Sequence, residues 1–353
     1  MGSRITNSLF RLNDLPTPLT HLSKGEGNSA ELIEYCIAVV IPCYRVEREI
    51  QSVLQAVPAY VKHVIVVDDA SPDSTADLVA ASAKTDGRVI LIRHPLNQGV
   101  GGAVLTGYRK ALALKAQMII KIDGDGQMDT THLPRLLQPL IDGKADYTKG
   151  NHFRDFESLQ RMPLIRRIGN MGLAFFSKAA TGYWNLFDPT NGFVAIRGEV
   201  LAQLPLDTID QTYFFETSML ANLYLLGAVV KDVPIPARYR NEVSNLVIPR
   251  VLFEFPIKLI TTFVRRTVLK NFIYDFSMGS MYLLAGLPLL LFGLIFGITK
   301  WIQYASVGVP APTGTVMLPT LSVLLGIQFL LSAIEIDLRS VPTEPLSNPL
   351  SPF

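Results

Sequence analysis

The chain has 353 residues, with 32 Lys and Arg against 30 Asp and Glu and a formal net charge of +2, which leaves no global basic field for a nucleic acid. It is 49% hydrophobic with a mean hydropathy of +0.29. The apolar excess gathers after about residue 250, as in a globular head followed by a membrane tail. Two cysteines, Cys36 and Cys43, and five scattered histidines exclude a disulfide framework and a zinc cluster, and suit a reducing cytosol.

Residues 1–34 mix polar residues with Gly and Pro and lack the apolar run of a signal peptide, so they read as a loosely ordered N-terminal arm. From Ile37 a strand–turn–helix pattern repeats. The apolar run Ile37–Ile41, ended by Pro42, has the composition of a strand buried on both faces. Glu47–Val57 reads as a helix and Val64–Val67 as the second strand, ending in Asp68-Asp69. Ser71-Pro72-Asp73 predicts a helix start, with Ser71 as N-cap and Pro72 at the first helical position. Val89–Ile92 is a third strand, Asn97 opens a helix to about Leu114, and Met118–Ile122 is a fourth strand running into Asp123-Gly124-Asp125-Gly126-Gln127. Strands alternating with helices predict an α/β domain over residues 35–250, a mostly parallel sheet with helices on both faces. Ligands bind such sheets outside the carboxyl ends of the strands, and both acidic clusters fall there.

The segment 251–278 reads as amphipathic. Pro256 starts a helix at Ile257. Ile257, Ile260, Val264 and Val268 share one face, with Lys258, Arg265, Arg266 and Lys270 over the other, the pattern of a helix lying among anionic headgroups or of a packed surface helix. Residues 279–338 read as a transmembrane hairpin, with spans at about 280–299 and 317–336 and a connection, 300–316, rich in Gly, Pro, Ala and Ser. Arg265, Arg266 and Lys270 before the first span and Arg339 after the second, against Lys300 alone between them, predict a cytoplasmic head. Residues 339–353 form a C-terminal tail.

Two carboxylates and an amide oxygen at Asp123, Asp125 and Gln127 make a hard-oxygen set suited to Mg²⁺ or Mn²⁺, with positions open for phosphate oxygens. Asp68-Asp69 lacks a glycine-rich phosphate cradle and instead suits a base N–H or a ribose hydroxyl. Asn97-Gln98-Gly99-Val100-Gly101-Gly102 fits neither common phosphate-loop spacing, and its glycines read as close helix packing.

Ile41-Pro42-Cys43-Tyr44, Val67-Asp68-Asp69-Ala70-Ser71-Pro72-Asp73-Ser74-Thr75, Asn97-x-Gly99 and Asp123-Gly124-Asp125-Gly126-Gln127-Met128-Asp129 resemble glycosyltransferase family 2, nearest to its dolichyl-phosphate mannose synthase and bacterial polyprenyl-phosphate glycosyltransferase group. The resemblance covers about residues 37–250. It implies a GT-A fold and an inverting transfer from a UDP- or GDP-sugar. Pro42, Tyr44 and Asp69 would hold the nucleoside, and Asp123, Asp125 and Gln127 the metal. His152 stands where the family carries a phosphate-binding arginine, and Arg154 is its candidate replacement. Arg166, Arg167 and Asn170 match a basic helix thought to meet the acceptor phosphate, though on their own they read equally as a solvated face. Asp188 resembles an acid in the family's Asp-x-Thr-Gly turn, with a catalytic role and a simple turn acid equally open. Phe215-Glu216 matches an aromatic-x-Glu helix, with Glu216 also readable as a buried partner for an arginine. Arg240–Asn245 resembles a donor-contacting loop, of which Arg240 is the donor candidate; Asn245 replaces its usual lysine.

The expected activity is transfer of a hexose from a nucleotide-sugar to polyprenyl phosphate, undecaprenyl or dolichyl, at the cytoplasmic membrane face. The alternative is the same fold acting on a hydroxyl of a glycolipid or polysaccharide. Asp125, Arg154, Arg167 and Asp188 are the candidate catalytic residues, with nucleotide-sugar, lipid acceptor and membrane lipids as partners, and hairpins of this kind allow packing into a homo-oligomer.

Overall fold

The computed structural model describes residues 32–151, 164–189, 191–235 and 248–346. The head runs β1 (Ile37–Cys43), α1 (Ile50–Ala56), β2 (His63–Asp68), α2 (Thr75–Thr85), β3 (Val89–Arg93), α3 (Val100–Ala113), β4 (Met118–Lys121), α4 (Leu133–Ile141), β5 (Tyr147–Asn151) and α5 (Leu164–Thr181). It continues through β6 (Val194–Arg197), α6 (Gly198–Leu201), α7 (Phe215–Leu226) and β7 (Val230–Pro234). The strands form one sheet in the order β3-β2-β1-β4-β6-β5-β7. Every pairing is parallel except those of β6, which runs against both β4 and β5.

The alternation of a strand sorts side chains to opposite faces, and β1 shows the result. Ile37, Val39 and Ile41 pack with Val53, Leu54, Leu133 and Leu137 from α1 and α4. Ala38 and Val40 pack on the other side with Val104 and Tyr108 of α3 and Phe215 and Leu220 of α7. The expected α/β sheet with helices on both faces is therefore present.

Several boundaries differ from expectation for local reasons. β1 runs through Pro42 to Cys43 rather than stopping before it. Its ladder with β4 ends at Val40–Lys121, so the missing proline N–H falls beyond the last rung on that side. Ser71 does not cap α2, which begins at Thr75. Its hydroxyl accepts instead from the Arg45 N–H, and Thr75 Oγ1 accepts from the Val46 N–H. These two bonds tie the loop after β2 to the loop after β1. α3 begins at Val100, three residues after Asn97, with Gly99 at φ +87° before it.

After the head come α8 (Ile248–Val268), a short π-helical segment (Leu269–Tyr274), α9 (Met278–Val307) and α10 (Thr313–Arg339). α8 starts well before Pro256 and carries it inside, so this proline is not a helix start. Packing of α8 on α5 and α7 offsets the one lost helix bond. The connection between the last two helices shrinks to Gly308–Pro312, because each apolar helix extends beyond its hydrophobic stretch, α9 to a left-handed cap at Gly308. α9 and α10 pack antiparallel with backbones close together. A Cβ on Gly293 would lie 2.7 Å from the Val323 side chain, and one on Gly326 2.7 Å from the Leu290 backbone. Both helices are long and apolar enough to cross a membrane, yet only 11% and 22% of their most apolar windows are buried. Core helices of a soluble domain would be covered far more completely.

α8 is amphipathic, and its basic side, not its apolar side, packs on the rest of the protein. Ile257, Ile260, Val264 and Val268 are exposed. Of the basic residues expected to spread toward solvent or headgroups, Lys258 binds Asp210 at 2.6 Å, and Arg266 and Lys270 bind Asp337 at 2.8 and 2.9 Å. Arg265, by contrast, is exposed. The apolar side faces out because the polar side has found partners within the protein.

Candidate active site

Three parallel strands end at one rim: β1 at Cys43, β2 at Asp68 and β4 at Lys121, with Cys43 opposite Asp68 in register. The reversal of β6 brings its start, Val194, opposite Lys121, so the Asp188–Phe193 turn arrives at the same rim. The first turn of α7 adds Glu216.

The loop after β4 is held tightly. Gly124 sits under β1, where a Cβ would meet Cys43 Sγ at 3.0 Å and the Pro42 carbonyl oxygen at 3.3 Å. Gly126 takes φ +73°, which glycine adopts at little cost. Asp125 Oδ1 accepts from the Gln127 N–H at 3.0 Å. Gln127 is exposed, Asp125 and Asp123 half-buried. Burial, with the nearby Asp68, Asp123 and Asp73 carboxylates, pushes the Cys43 thiol well above its usual value, so it stays protonated beneath the loop.

Lys121 is the residue that the sequence reading missed. Its side chain is 1% exposed and its ammonium lies 2.8 Å from Asp123 Oδ1 and 3.1 Å from Glu216 Oε1. Burial alone would pull the ammonium down, but the two carboxylates outweigh it and hold it above its ordinary value. Its signal was visible: a lysine inside an apolar strand needs a partner, and the two-residue period places it on the same side as Asp123. Glu216 is thus a half-buried partner for a lysine rather than for an arginine.

On the neighbouring strands, Lys149 is fully buried and donates to the Asn191 carbonyl. Burial pulls its ammonium down to about 8, against the opposing pull of Asp188 and Glu216. Asp188 is buried in the turn, and the Asn191 side chain accepts from the Phe193 N–H at 2.8 Å while its Nδ2 is a buried donor without a partner.

The two acids after β2 divide their work. Asp69 Oδ1 accepts from the Gln98 N–H at 2.9 Å and sits 2.7 Å from His94 Nδ1, and Oδ2 accepts from the Gly99 N–H at 2.8 Å. Its carboxylate is engaged in holding the loop before α3, whose glycines press on the 210–212 segment: a Cβ on Gly101 would lie 2.6 Å from the Asp210 carbonyl oxygen. Asp68, also buried, keeps Oδ1 without a partner. Pro42 is buried and Tyr44 exposed at the rim, with the Arg45 guanidinium 5.2 Å from the Tyr44 ring centroid. His152, Arg154 and Arg240 lie outside the described residues, and Arg167 lies on α5 in the stretch whose side chains are not described.

The rim thus gathers an acidic loop, a buried carboxylate and a second turn brought in by a reversed strand. The model of glycosyl transferase family 2 matches residues 38–204. An uncharacterised protein of Methanocaldococcus jannaschii is 33% identical over 204 residues, 58% of this chain and 82% of its own. The chain belongs to glycosyl transferase family 2. A UDP-N-acetylglucosamine–dolichyl-phosphate N-acetylglucosaminyltransferase of Methanococcus voltae is 30% identical over 181 residues, 48% of this chain and 72% of that protein. An undecaprenyl-phosphate mannosyltransferase of Micrococcus luteus is 30% identical over 204 residues, covering 56% and 82%. This glycosyltransferase therefore has polyprenyl-phosphate glycosyltransferases among its relatives, and its sheet is the GT-A architecture that the resemblance implied.

The metal reading meets a mixed test. Among the described residues no group of three or more His, Cys, Asp or Glu is assembled around a common point. Two half-buried carboxylates on a glycine-shaped loop nonetheless fit Mg²⁺ or Mn²⁺, which retain positions for water and substrate phosphates.

Proposed function

We propose that this glycosyltransferase moves a hexose, with inversion, from a UDP- or GDP-sugar to a polyprenyl phosphate at the cytoplasmic membrane face. The observation that carries the reading is the outward apolar surface of α8, continuous in sequence with two uncovered apolar helices and packed against α5. Met171, Phe175 and Phe176 of α5 are also exposed. An apolar platform beside a charged rim suits an acceptor whose tail lies in lipid and whose head is a phosphate. The named relatives support the same class of acceptor.

Asp123, Asp125 and Gln127 would hold the divalent ion, which when bound offsets charge on the departing diphosphate. Pro42, Tyr44 and Asp69 would hold the nucleoside, with Oδ1 of the neighbouring Asp68 as a further acceptor beside them. A phosphate monoester is largely dianionic at neutral pH, so the protein's task is alignment and charge compensation rather than proton removal. Arg154 and Arg167 are the proposed cations for it, His152 and Arg240 the proposed donor contacts. We assign residues 35–250 to the transferase domain, 251–278 to the membrane surface and 279–338 to the anchor, between an N-terminal arm and a C-terminal tail. For the hydroxyl alternative, Asp188 and Glu216 would be the candidate bases, the latter with Oε1 held by Lys121.

The test is purified full-length protein in detergent with a panel of UDP- and GDP-sugars, offered a polyprenyl phosphate or the matching polyprenol. Sugar transfer to the phosphate alone is expected; transfer to the polyprenol alone overturns the reading.

A further inference from the structure

The donor loop of this enzyme has one feature that the transfer reaction does not by itself require. Asp123 and Glu216 come from different elements, β4's carboxyl end and the first turn of α7, and both point at the same buried atom. Lys121 Nζ stands 2.8 Å from Asp123 Oδ1 and 3.1 Å from Glu216 Oε1. The three side chains are 1%, 31% and 14% exposed. Two carboxylates converging on one enclosed point repel each other strongly unless a cation lies between them. Proteins that handle phosphate esters commonly fill such a point with a metal ion, and pairs of ions bridged by carboxylates are a recurrent arrangement. Here the cation is covalently part of the chain.

The surroundings are shaped to keep it there. Gly192 lies directly over the ammonium, and a Cβ at this position would stand 2.5 Å from Lys121 Nζ, 3.0 Å from Asp123 Oδ2 and 3.5 Å from Glu216 Oε1. The turn that carries Asp188 and Asn191 therefore closes over the ion pair only because residue 192 has no side chain.

We infer that Lys121 serves as a built-in cation in the place of a second metal ion, positioning Asp123 and Glu216 so that the loop takes up one divalent cation and no more. The inference rests on the metal-dependent reading of Asp123, Asp125 and Gln127 given above. Lys121 is a positioning residue: it acts through the two carboxylates and not on the sugar. By fixing one oxygen of Asp123, it leaves the other for the ion. By neutralising Glu216, it stops α7 from contributing a further ligand.

The experiment is a Mn²⁺ titration of full-length protein in detergent, followed by electron paramagnetic resonance, with Mn²⁺ alone as the probe so that the identities of sugar and acceptor do not enter. Wild-type protein should bind one Mn²⁺, Lys121→Met should bind two, and Lys121→Met/Glu216→Gln should return to one. Transfer by Lys121→Met should fall at least tenfold in kcat at one equivalent of Mn²⁺ and recover in part with excess ion, a dependence that a purely structural lesion would not show. Lys121→Gln, neutral and of nearly the same length, should admit the second Mn²⁺ where Lys121→Met does not fold. Two Mn²⁺ in wild type, or one in both Lys121→Met and Lys121→Gln, overturns the inference alone. A wild-type protein that takes up no Mn²⁺ overturns the metal reading and this inference together.

Discussion

Replacing Asp337 with asparagine changes one atom in the carboxyl group and removes the charge at the junction between the head and the apolar helices. In the structure Asp337, near the end of α10, accepts from Arg266 Nη1 at 2.8 Å and Nη2 at 2.9 Å, from Lys270 Nζ at 2.9 Å and from Trp184 Nε1 at 3.0 Å. Arg266 is 1% exposed, and its remaining donors reach the carbonyls of Ala179 and Ala180 at the end of α5. Breaking a buried pair by removing one partner costs about 3–5 kcal/mol. The two carbonyl acceptors retained by Arg266, and the Tyr224 and Ser340 oxygens near Lys270, place the expected loss at the lower end, about 3 kcal/mol. For a domain of this size that corresponds to a fall in Tm of about 6–12 °C. The chain has two tryptophans, Trp184 and Trp301, so in a Trp301→Phe background the emission of Trp184 reports the junction directly during thermal unfolding in detergent. Asp337→Asn should melt early and shift that emission. Arg266→Met/Asp337→Leu should recover most of the loss, because well-packed apolar replacements of buried pairs are often neutral. If Asp337→Asn melts within a degree of wild type with unchanged emission, the buried network does not join the hairpin to the head.

Excess chelator should abolish sugar transfer and added Mg²⁺ or Mn²⁺ restore it, while Asp125→Asn should lose most activity with an unaltered circular dichroism spectrum; full turnover in chelator would remove the metal from the mechanism. Lys149, held down at about 8 against about 10.4 in an unfolded chain, is charged in both states below pH 8, where the cost of burying it is complete. Between about pH 8 and 10.4 only the unfolded chain keeps the proton, so wild-type stability should rise with pH relative to Lys149→Met; a difference in denaturation midpoint that stays flat from pH 7 to 10 contradicts the assignment. Neutralising Arg154 or Arg167 should raise the KM for the lipid phosphate by about tenfold or more, a charge-assisted contact being worth roughly 1.5–3 kcal/mol, and Asp188→Asn should cost less. The reverse ranking in steady-state kinetics would favour a hydroxyl acceptor.

The strands could be read because a parallel sheet covered on both faces demands uninterrupted apolar runs, and Ile37–Ile41, Val64–Val67 and Met118–Ile122 supply them. Boundaries were harder where side chains serve the tertiary structure before the local one. Ser71 has the composition of an N-cap, yet its hydroxyl goes to the Arg45 N–H across the rim. Pro256 looks like a helix start, yet α8 continues through it because the helix is held by its packing on α5 and α7. The basic residues of α8 show the same effect on a larger scale. Sequence periodicity separates an apolar from a basic face, but which face turns outward depends on where Asp210 and Asp337 lie, and these are 48 and 71 residues away from Lys258 and Arg266 respectively.

The site repeats this lesson in its chemistry. Asp68-Asp69 announces an acidic strand end, and adjacent residues point in different directions. The sequence does not say which of the two is spent on the scaffold. His94 and the amides of Gln98 and Gly99, which settle that Asp69 is, belong to the next loop. The Asp-Gly-Asp loop is legible because its chemistry is contiguous, whereas its counter-charge, Lys121, is shared with Glu216, 95 residues beyond that lysine. Yet the strand itself contained the clue. A lysine buried in a central strand needs a polar partner, and the acids available at that rim are few. With Asp123 two residues away on the same side, the ammonium falls beside the loop that the motif assigns to the metal. The consequence is chemical as well as structural: a covalently held cation cannot be removed by chelation, so charge at this rim is partly fixed by the fold and only partly by the ion in solution.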